Sequence, residues 1–227
     1  MAITNGVAKF DTIPEAIEAF ARGEFIVVLD ATNRENEGDL IIAASDFTAA
    51  KAAFMIRHTS GLICAPILPS LAAKLELPQM VAHNTDPKGT AYTITIDAAE
   101  DTTTGISAHD RALTCRWLAD PNVRIDSFRR PGHVIPLQAR EGGVRVRPGH
   151  TEAAVEFCLL AGKAPVAVIA ELVEDGEEVL GQGERAGEYG MMRRDGCLAF
   201  AKKYGLKAVT IEDLILHLDG AKGIQRN

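Results

Sequence analysis

Short apolar runs recur along the whole chain, and polar segments separate them. Most of the runs are aliphatic and only a few residues long, which is typical of buried strands. One run near the middle alternates apolar and polar residues, as a half-buried strand does. The predicted strands cover residues 25–29, 40–44, 62–64, 92–97, 134–137, 166–170 and 207–209.

Apolar residues at a spacing of three or four predict helices between these strands. Thr12 with Glu15, and Ser107 with Asp110, have the spacing of helix-capping pairs, and Thr151 is positioned to cap another helix. The predicted helices cover residues 12–23, 47–58, 69–76, 107–118, 151–162, 193–204 and a last segment that begins at residue 210.

Three polar segments connect these elements. Residues 81–90 predict a loop, residues 120–133 a turn-rich connection, and residues 174–190 an acidic, glycine-rich hairpin or loop. The chain has no internal repeat and no linker long enough to divide it. The fold class that follows is α+β, with a single domain of residues 1–227 whose mixed, twisted β-sheet is flanked by helices on both faces.

Composition excludes several classes of function. The 227 residues are 47% hydrophobic, enough for a sizeable core, and the net charge of −7 argues against a nucleic-acid partner. We see no apolar run of about 18 residues to span a membrane, and no secretory signal at the N-terminus. The four cysteines lie far apart, which indicates buried free thiols in a reducing, cytoplasmic environment.

The loop between the first two predicted strands is the first candidate site. Residues 34–39 combine Arg34, an amide and the three carboxylates of Glu35, Glu37 and Asp39. Carboxylate oxygens suit Mg²⁺, and a guanidinium can grip an anion with paired donors. The alternative interpretation is a solvated acidic turn.

A second candidate site precedes the helix predicted after residue 150. Gly149 allows a ligand to approach the backbone, Arg147 adds positive charge, and His150 offers a ring nitrogen to a metal. The free amides of a helix N-terminus bind anions. A capped helix start without a ligand would have the same sequence.

Two more residues are candidates because of their positions. Glu171 ends the most apolar predicted strand, where desolvation would raise its pKa and suit it to proton transfer. His133 follows Arg130 and Pro131 in a predicted turn. The alternatives are an ordinary strand-end residue and an exposed histidine without a role.

Four short motifs occur along the chain in an order that resembles the 3,4-dihydroxy-2-butanone 4-phosphate synthase family of riboflavin biosynthesis. The resemblance extends from about residue 12 to about residue 216. It departs from many relatives at residues 31–33, which are not acidic, and the long segment 174–190 is similar to the fungal type. The motifs are residues 34–40, 103–111, 130–133 and 149–153.

The resemblance implies a monofunctional lyase that converts D-ribulose 5-phosphate to L-3,4-dihydroxy-2-butanone 4-phosphate and formate. No fused cyclohydrolase activity is expected. The implied cofactor is Mg²⁺, with Mn²⁺ as an expected substitute. The implied assembly is a homodimer with its active sites at the subunit interface.

Roles for individual residues come from the same resemblance. It implies Glu35 and His150 as metal ligands and Glu35, Asp39, His133 and Glu171 as catalytic residues. Because residues 120–133 are too long and too polar for core packing, we also expect His133 to reach the site of a neighbouring subunit. The implied substrate-binding residues are Arg34, Glu35, Asp39, Arg147, Pro148, Gly149, His150, Thr151 and Glu171.

Two other classes of function stay open on the sequence. A metal-dependent aldolase or isomerase for another sugar phosphate would stabilise the same kind of enediolate, and only formate release separates it. A nucleotide- or RNA-binding module could share the architecture, although the negative net charge argues against it. The sequence also leaves open whether Cys64 touches the substrate.

Overall fold

The computed structural model describes residues 9–224, with side chains up to residue 220. The helices are α1 (Ile13–Ala21), α2 (Ala49–His58), α3 (Pro69–Lys74), α4 (Ala108–Leu118), α5 (His150–Leu160), α6 (Arg194–Tyr204) and α7 (Ile211–Ile224). The strands are β1 (Ile26–Leu29), β2 (Gly38–Ala43), β3 (Cys64–Ile67), β4 (Ile96–Ala98), β5 (Phe128–Gln138), β6 (Ala167–Glu171), β7 (Glu177–Val179), β8 (Glu184–Ala186) and β9 (Lys207–Thr210).

Seven of these strands form one mixed sheet in the order β4-β5-β3-β6-β2-β1-β9. β1 pairs antiparallel with β2 and parallel with β9, and β2 pairs antiparallel with β6. The predicted α+β class with a mixed sheet is therefore confirmed.

The sheet is covered on both faces, which explains its continuous apolar strands. Successive side chains of a strand point to opposite faces, so Val27 and Leu29 enter one core while Ile26 and Val28 enter the other. Helices α2, α3, α4 and α6 pack on the first face, and α1, α5 and α7 pack on the second. Each large aliphatic side chain buried in this way stabilises the fold by roughly 1.5–3 kcal/mol.

Two predicted helix starts are confirmed by their caps. Thr12 and Glu15 form a reciprocal capping box at α1, and the Ser107 hydroxyl accepts from the Asp110 amide at α4. The start of α2 was predicted slightly too early. The chain first makes a short 3₁₀ turn at Ala44–Asp46, and Thr48 then caps α2.

The predicted connection over residues 120–133 is wrong in its second half. Residues from Phe128 onward belong to β5, which also contains the predicted short run 134–137. The first half of β5 pairs only with the edge strand β4, so Arg129, Arg130 and His133 are not buried there. Pro131, which has no amide to donate, lies where the register between β4 and β5 is irregular, and such a bulge tolerates proline. These residues resemble a turn in sequence for that reason.

Two other strands are displaced from their predicted positions. The strand predicted at 62–64 is β3, which begins at Cys64 and runs through Pro66. The strand predicted at 92–97 is reduced to β4, and Tyr92 and Thr93 make only isolated bridges before it. The acidic segment 174–190 contains the hairpin β7–β8, which forms its own two-stranded sheet.

The strand register places several polar residues at one edge of the main sheet. Leu29 at the end of β1 pairs with Gly38 at the start of β2, and Asp39 pairs with Glu171 at the end of β6. The polar loop between β1 and β2 therefore lies beside the Asp39–Glu171 pair. Among the described residues, no helix is long and apolar enough to cross a membrane.

Candidate active site

Asp30 holds the loop between β1 and β2 in shape. Its Oδ2 accepts from the Glu35 amide at 3.1 Å, and its Oδ1 accepts from the Glu37 amide at 2.9 Å. Burial pushes the pKa of Asp30 up, but these amides and the Arg34 guanidinium outweigh burial and leave the pKa lowered. Asp30 was not among the predicted site residues, although its position at the end of a buried strand was the available signal.

His150 is the first residue of α5 and is buried against β1. Its Nε2 lies 3.1 Å from the Val28 carbonyl oxygen, so the proton belongs on Nε2. Burial lowers the pKa of His150, which favours the neutral ring. The lone pair of Nδ1 is then available to a cation, and the backbone bond fixes the ring orientation.

Asp30, Glu35 and His150 bring three ligand atoms within 4.8 Å of one another. The structure thus brings together the predicted metal pair, Glu35 and His150, and adds Asp30 as a third donor. Two carboxylates and one neutral imidazole fit a divalent cation, with room for water or substrate oxygens in the remaining positions.

Arg34 lies between two of these three donors. Its Nη1 donates to Asp30 Oδ2 at 2.8 Å and also to Glu35 Oε2. The Arg34 side chain is only 14% exposed, and the two carboxylates keep the pKa of Arg34 raised against the effect of burial. Its predicted role was an anion grip, whereas its contacts in the structure are to the carboxylates.

The N-terminus of α5 faces the same region. Gly149 is its N-cap, and no side chain caps the first amides. The predicted cap, Thr151, is wrong, because Thr151 lies inside the helix and is buried. A Cβ atom on Gly149 would lie 2.4 Å from Arg147 Nη1 and 3.0 Å from Arg34 Nη2, so a side chain there would displace the guanidinium groups from these positions.

Arg147 has a buried acidic partner that the sequence prediction missed. Its Nη1 donates to Glu152 Oε2 at 2.7 Å, and its Nη2 donates to Thr90 Oγ1 at 3.1 Å. Glu152 is only 1% exposed, so it holds the Arg147 guanidinium in place beside the N-terminus of α5. Pro148 lines an adjoining cavity of about 820 Å³ together with Asp30 and Arg34.

Asp39 and Glu171 form a carboxylate pair across β2 and β6. Asp39 is 2% exposed, and within the described residues its Oδ1 has no hydrogen-bond partner, although it lies 3.7 Å from His150 Nδ1. Burial, and then the negative charge of Glu171, raise the pKa of Asp39 well above its usual value. Glu171 accepts from Ser60 Oγ at 2.9 Å, a contact that no pattern in the sequence predicts.

Cys64 is buried beside this pair. Burial, and then the charge of Glu171, raise the pKa of its thiol well above the usual value. Cys64 is therefore a neutral thiol at neutral pH and a poor nucleophile. All four cysteines are free and buried, as predicted.

His133 lies elsewhere, on β5, and is held by Asp97. The His133 amide donates to Asp97 Oδ1 at 2.8 Å, and His133 Nδ1 lies 2.7 Å from Asp97 Oδ2. Gly105 allows this approach, because a Cβ atom there would lie 2.0 Å from Asp97 Oδ2. In the sheet order, β5 and β1 are four strand spacings apart, or roughly 19 Å. His133 is therefore not next to the Glu35–His150 pair of its own chain.

Known proteins are similar to this chain in sequence and in fold. A model of the 3,4-dihydroxy-2-butanone 4-phosphate synthase family matches residues 14–217. The 3,4-dihydroxy-2-butanone 4-phosphate synthase of Pyricularia oryzae is 59% identical over 226 residues, which cover 98% of this chain and 97% of that protein.

Solved structures agree with these sequence matches. A crystal structure of 3,4-dihydroxy-2-butanone 4-phosphate synthase in complex with two magnesium ions superposes with a TM-score of 0.92 at 61% identity, covering 94% of this chain and 99% of that one. A cation-free form of 3,4-dihydroxy-2-butanone 4-phosphate synthase gives a TM-score of 0.89 at 59% identity, covering 94% of this chain and 100% of that one.

Proposed function

Because the chain belongs to the 3,4-dihydroxy-2-butanone 4-phosphate synthase family, we propose that it is the lyase that converts D-ribulose 5-phosphate to L-3,4-dihydroxy-2-butanone 4-phosphate and formate in riboflavin biosynthesis. One observation carries the proposal. A three-donor cation site, a carboxylate pair and an uncapped helix N-terminus meet at one edge of the sheet. This reaction needs all three, because its substrate carries a phosphate and passes through an enediolate.

The phosphate of the substrate binds at the N-terminus of α5. The first amides of that helix carry no side-chain cap, and the positive end of the helix dipole favours a dianion there. Arg147 adds two fixed donors, with its orientation set by Glu152. Pro148, Gly149 and Thr151 shape this end of the site without charge.

Asp30, Glu35 and His150 hold the cation, which we propose is Mg²⁺, with Mn²⁺ as a substitute. When bound, a divalent cation stabilises negative charge on adjacent substrate oxygens. His150 presents Nδ1 because Nε2 is committed to the Val28 carbonyl. The Asp30 carboxylate also accepts amides of the acidic loop, so the loop conformation and the cation site depend on each other.

Asp39 and Glu171 handle protons beside the cation site. Burial raises the pKa of Asp39, which suits its carboxyl group to a hydrogen bond with a substrate oxygen. Glu171, oriented by Ser60, is the acceptor for a proton taken from a substrate carbon or hydroxyl. Both residues lie on adjacent strands, which fixes their separation as the substrate rearranges.

His133 acts in the site of a partner subunit of a homodimer. The four strand spacings between β5 and β1, roughly 19 Å, support this assignment. Asp97 sets the ring orientation through Nδ1 and leaves Nε2 to face a substrate. We place the chain in the cytoplasm, where its four buried thiols stay reduced.

Formate release tests the proposed function. Purified protein with Mg²⁺ should release one formate for each D-ribulose 5-phosphate consumed, measured with a coupled formate dehydrogenase assay. Chelation with EDTA should stop the release and added Mg²⁺ should restore it, whereas Glu35→Gln should stay inactive at every Mg²⁺ concentration. Undiminished turnover after exhaustive chelation would exclude the cation site, and consumption of substrate without formate would exclude the lyase.

A further inference from the structure

Arg34 contacts the proposed cation site and the proposed phosphate site at once. Its Nη1 donates hydrogen bonds to the carboxylates of Asp30 and Glu35. Its Nη2 lies 3.0 Å from the position that a Cβ atom on Gly149 would occupy. Gly149 is the N-cap of α5. One planar guanidinium thus spans the distance between the two sites.

A cation at Asp30, Glu35 and His150 would compete with Arg34 for the same oxygens. Asp30 Oδ2 already accepts from Arg34 Nη1 and from the Glu35 amide, so it has no further free position while Arg34 remains. A dication drawn to these carboxylates also repels the guanidinium at close range. Binding of the cation therefore favours movement of Arg34 off the carboxylates.

The direction open to the displaced side chain is toward the α5 N-terminus. Arg147 Nη1 and Arg34 Nη2 already approach each other around Gly149. Glu152 neutralises Arg147 in a 2.7 Å ion pair. A phosphate dianion bound there would therefore attract the guanidinium of Arg34 as a further positive charge. A small turn of Arg34 would add its fork of donors to a phosphate.

We propose that Arg34 is a positioning residue that couples the two sites, so that a divalent cation and a phosphate ester each strengthen the binding of the other. This inference rests on the proposed function for the location of both sites. The Arg34 guanidinium leaves its hydrogen bonds to the two carboxylates and forms hydrogen bonds to the phosphate. The coupling is reciprocal, because the same side chain is released by one ligand and taken up by the other.

Binding measurements on the full chain test the coupling without turnover. Free Mn²⁺ is followed by electron paramagnetic resonance, with and without glycerol 3-phosphate, which carries a phosphate ester but no carbonyl group to react. A blank without protein corrects for Mn²⁺ held by the ester itself. In the wild type, glycerol 3-phosphate should lower the Kd for Mn²⁺ about five-fold or more, in the range of ordinary allosteric coupling.

Arg34→Gln removes the competing charge and keeps a polar side chain. Its Kd for Mn²⁺ without the ester should equal or fall below that of the wild type, and the effect of the ester should shrink to less than about two-fold. Weaker Mn²⁺ binding in Arg34→Gln, or an undiminished effect of the ester, would overturn the inference. Should Arg34→Gln fail to fold, Arg34→Lys should keep the wild-type Kd for Mn²⁺ and still show a reduced effect of the ester.

Arg193→Gln is the matched control. Arg193 Nη1 donates at 2.8 Å to the carbonyl oxygens of Glu35 and Asn36, on the same loop but away from the metal-binding carboxylate oxygens. In Arg193→Gln, glycerol 3-phosphate should lower the Kd for Mn²⁺ by the same factor as in the wild type. Equal loss of coupling in the Arg193 and Arg34 variants would overturn the inference, because loop charge alone would explain it.

The experiment separates failure of the coupling from failure of the proposed function. The Glu35→Gln variant should bind Mn²⁺ more weakly than the wild type does. A wild type that binds Mn²⁺ through Glu35 but shows no effect of the ester would refute the coupling alone. A wild type that binds no Mn²⁺ would refute the cation site and the coupling together.

Discussion

Single carboxylates in this molecule differ in ionisation according to what surrounds them. Asp39 is buried without a donor to its Oδ1, and its pKa is raised. Asp110 is equally buried, yet its Oδ2 accepts from the Thr103 hydroxyl at 2.7 Å and from the Gly105 amide at 3.0 Å. Those hydrogen bonds hold the pKa of Asp110 well below its usual range. The same residue type therefore has a raised pKa in one place and a lowered pKa in the other.

Asp110→Asn should lower the free energy of unfolding at neutral pH by about 1.5–3 kcal/mol, because it removes charge-assisted hydrogen bonds. A depressed folded-state pKa stabilises the protein above the unfolded value of about 3.9, and this stabilisation is lost as the pH falls through the folded value. The difference between wild type and variant, measured by urea unfolding, should therefore shrink below about pH 4.

Asp126→Asn is the matched control for this measurement. Asp126 forms an ion pair with Arg124 that is largely exposed on both sides, so its loss should change stability by less than about 0.5 kcal/mol. A destabilisation of Asp110→Asn that stayed constant from pH 7 to pH 3 would contradict the ionised, hydrogen-bonded state of Asp110.

At the residue level, the sequence could identify candidate side chains but not all of their supports. Glu35 and Asp39 were predicted from the polar loop between two strands, His150 from a helix start and Glu171 from a strand end. The structure brings these residues to one edge of the sheet. Their partners depend on contacts distant in sequence. Ser60 is 111 residues from Glu171, for example, and no local pattern encodes that hydrogen bond.

Among the elements, α5 and the segment before it are the proposed binding site for the phosphate. Arg147→Gln should raise the KM for D-ribulose 5-phosphate by about 10- to 150-fold, because a charge-assisted hydrogen bond contributes about 1.5–3 kcal/mol. The kcat should change much less, since the phosphate is remote from the bonds that break. Initial-rate measurements of formate release give both constants.

Arg140→Gln is the control for Arg147→Gln. Arg140 reaches Glu152 only through its backbone amide, at 2.9 Å, and its side chain bonds the Gly89 carbonyl. The substitution removes one positive charge nearby and keeps the Glu152 contact. A KM that rose equally in both variants, or that stayed unchanged in Arg147→Gln, would show that Arg147 does not hold the phosphate.

Elements were predictable where their pattern of burial was regular. The apolar strands β1, β2, β6 and β9 and the capped helices were found near their observed bounds. β5 was not recognised over its first half because its pairing with β4 is irregular there, and such an irregularity tolerates Pro and Gly. Helix α5 was misassigned at its cap because Gly149 leaves that end without a capping side chain.

At the scale of the whole molecule, one chain does not bring all of the predicted site residues together. His133 and its partner Asp97 lie on β5 and β4, on the far side of β3 and β6 from the loop that carries Glu35. The homodimer would bring them together across a subunit interface. That residues 1–227 form one domain also stays a prediction, because the structure describes residues 9–224.

Mixed dimers test the shared site. Inactive His133→Ala and Glu35→Gln proteins are unfolded together and refolded as a mixture. A mixed dimer would contain one site with both intact residues, so about a quarter of the wild-type formate release should return in an equal mixture. Glu35→Gln refolded with His150→Asn is the control and should stay inactive, because both defects fall in the same half of the site. Mixed dimers that form, as judged by mass spectrometry, and yet stay inactive would contradict the shared site.

The fate of one carbon atom tests the central claim most directly. D-Ribulose 5-phosphate labelled with ¹³C at C4 is incubated with the protein and Mg²⁺, and the products are followed by ¹³C nuclear magnetic resonance. The family resemblance implies a shift of the carbon skeleton that expels C4, so the label should appear in formate while the four-carbon phosphate product stays unlabelled. An aldolase or an isomerase would keep the label in a sugar-derived product. Label retained in a phosphorylated product, with none in formate, would contradict the proposed function.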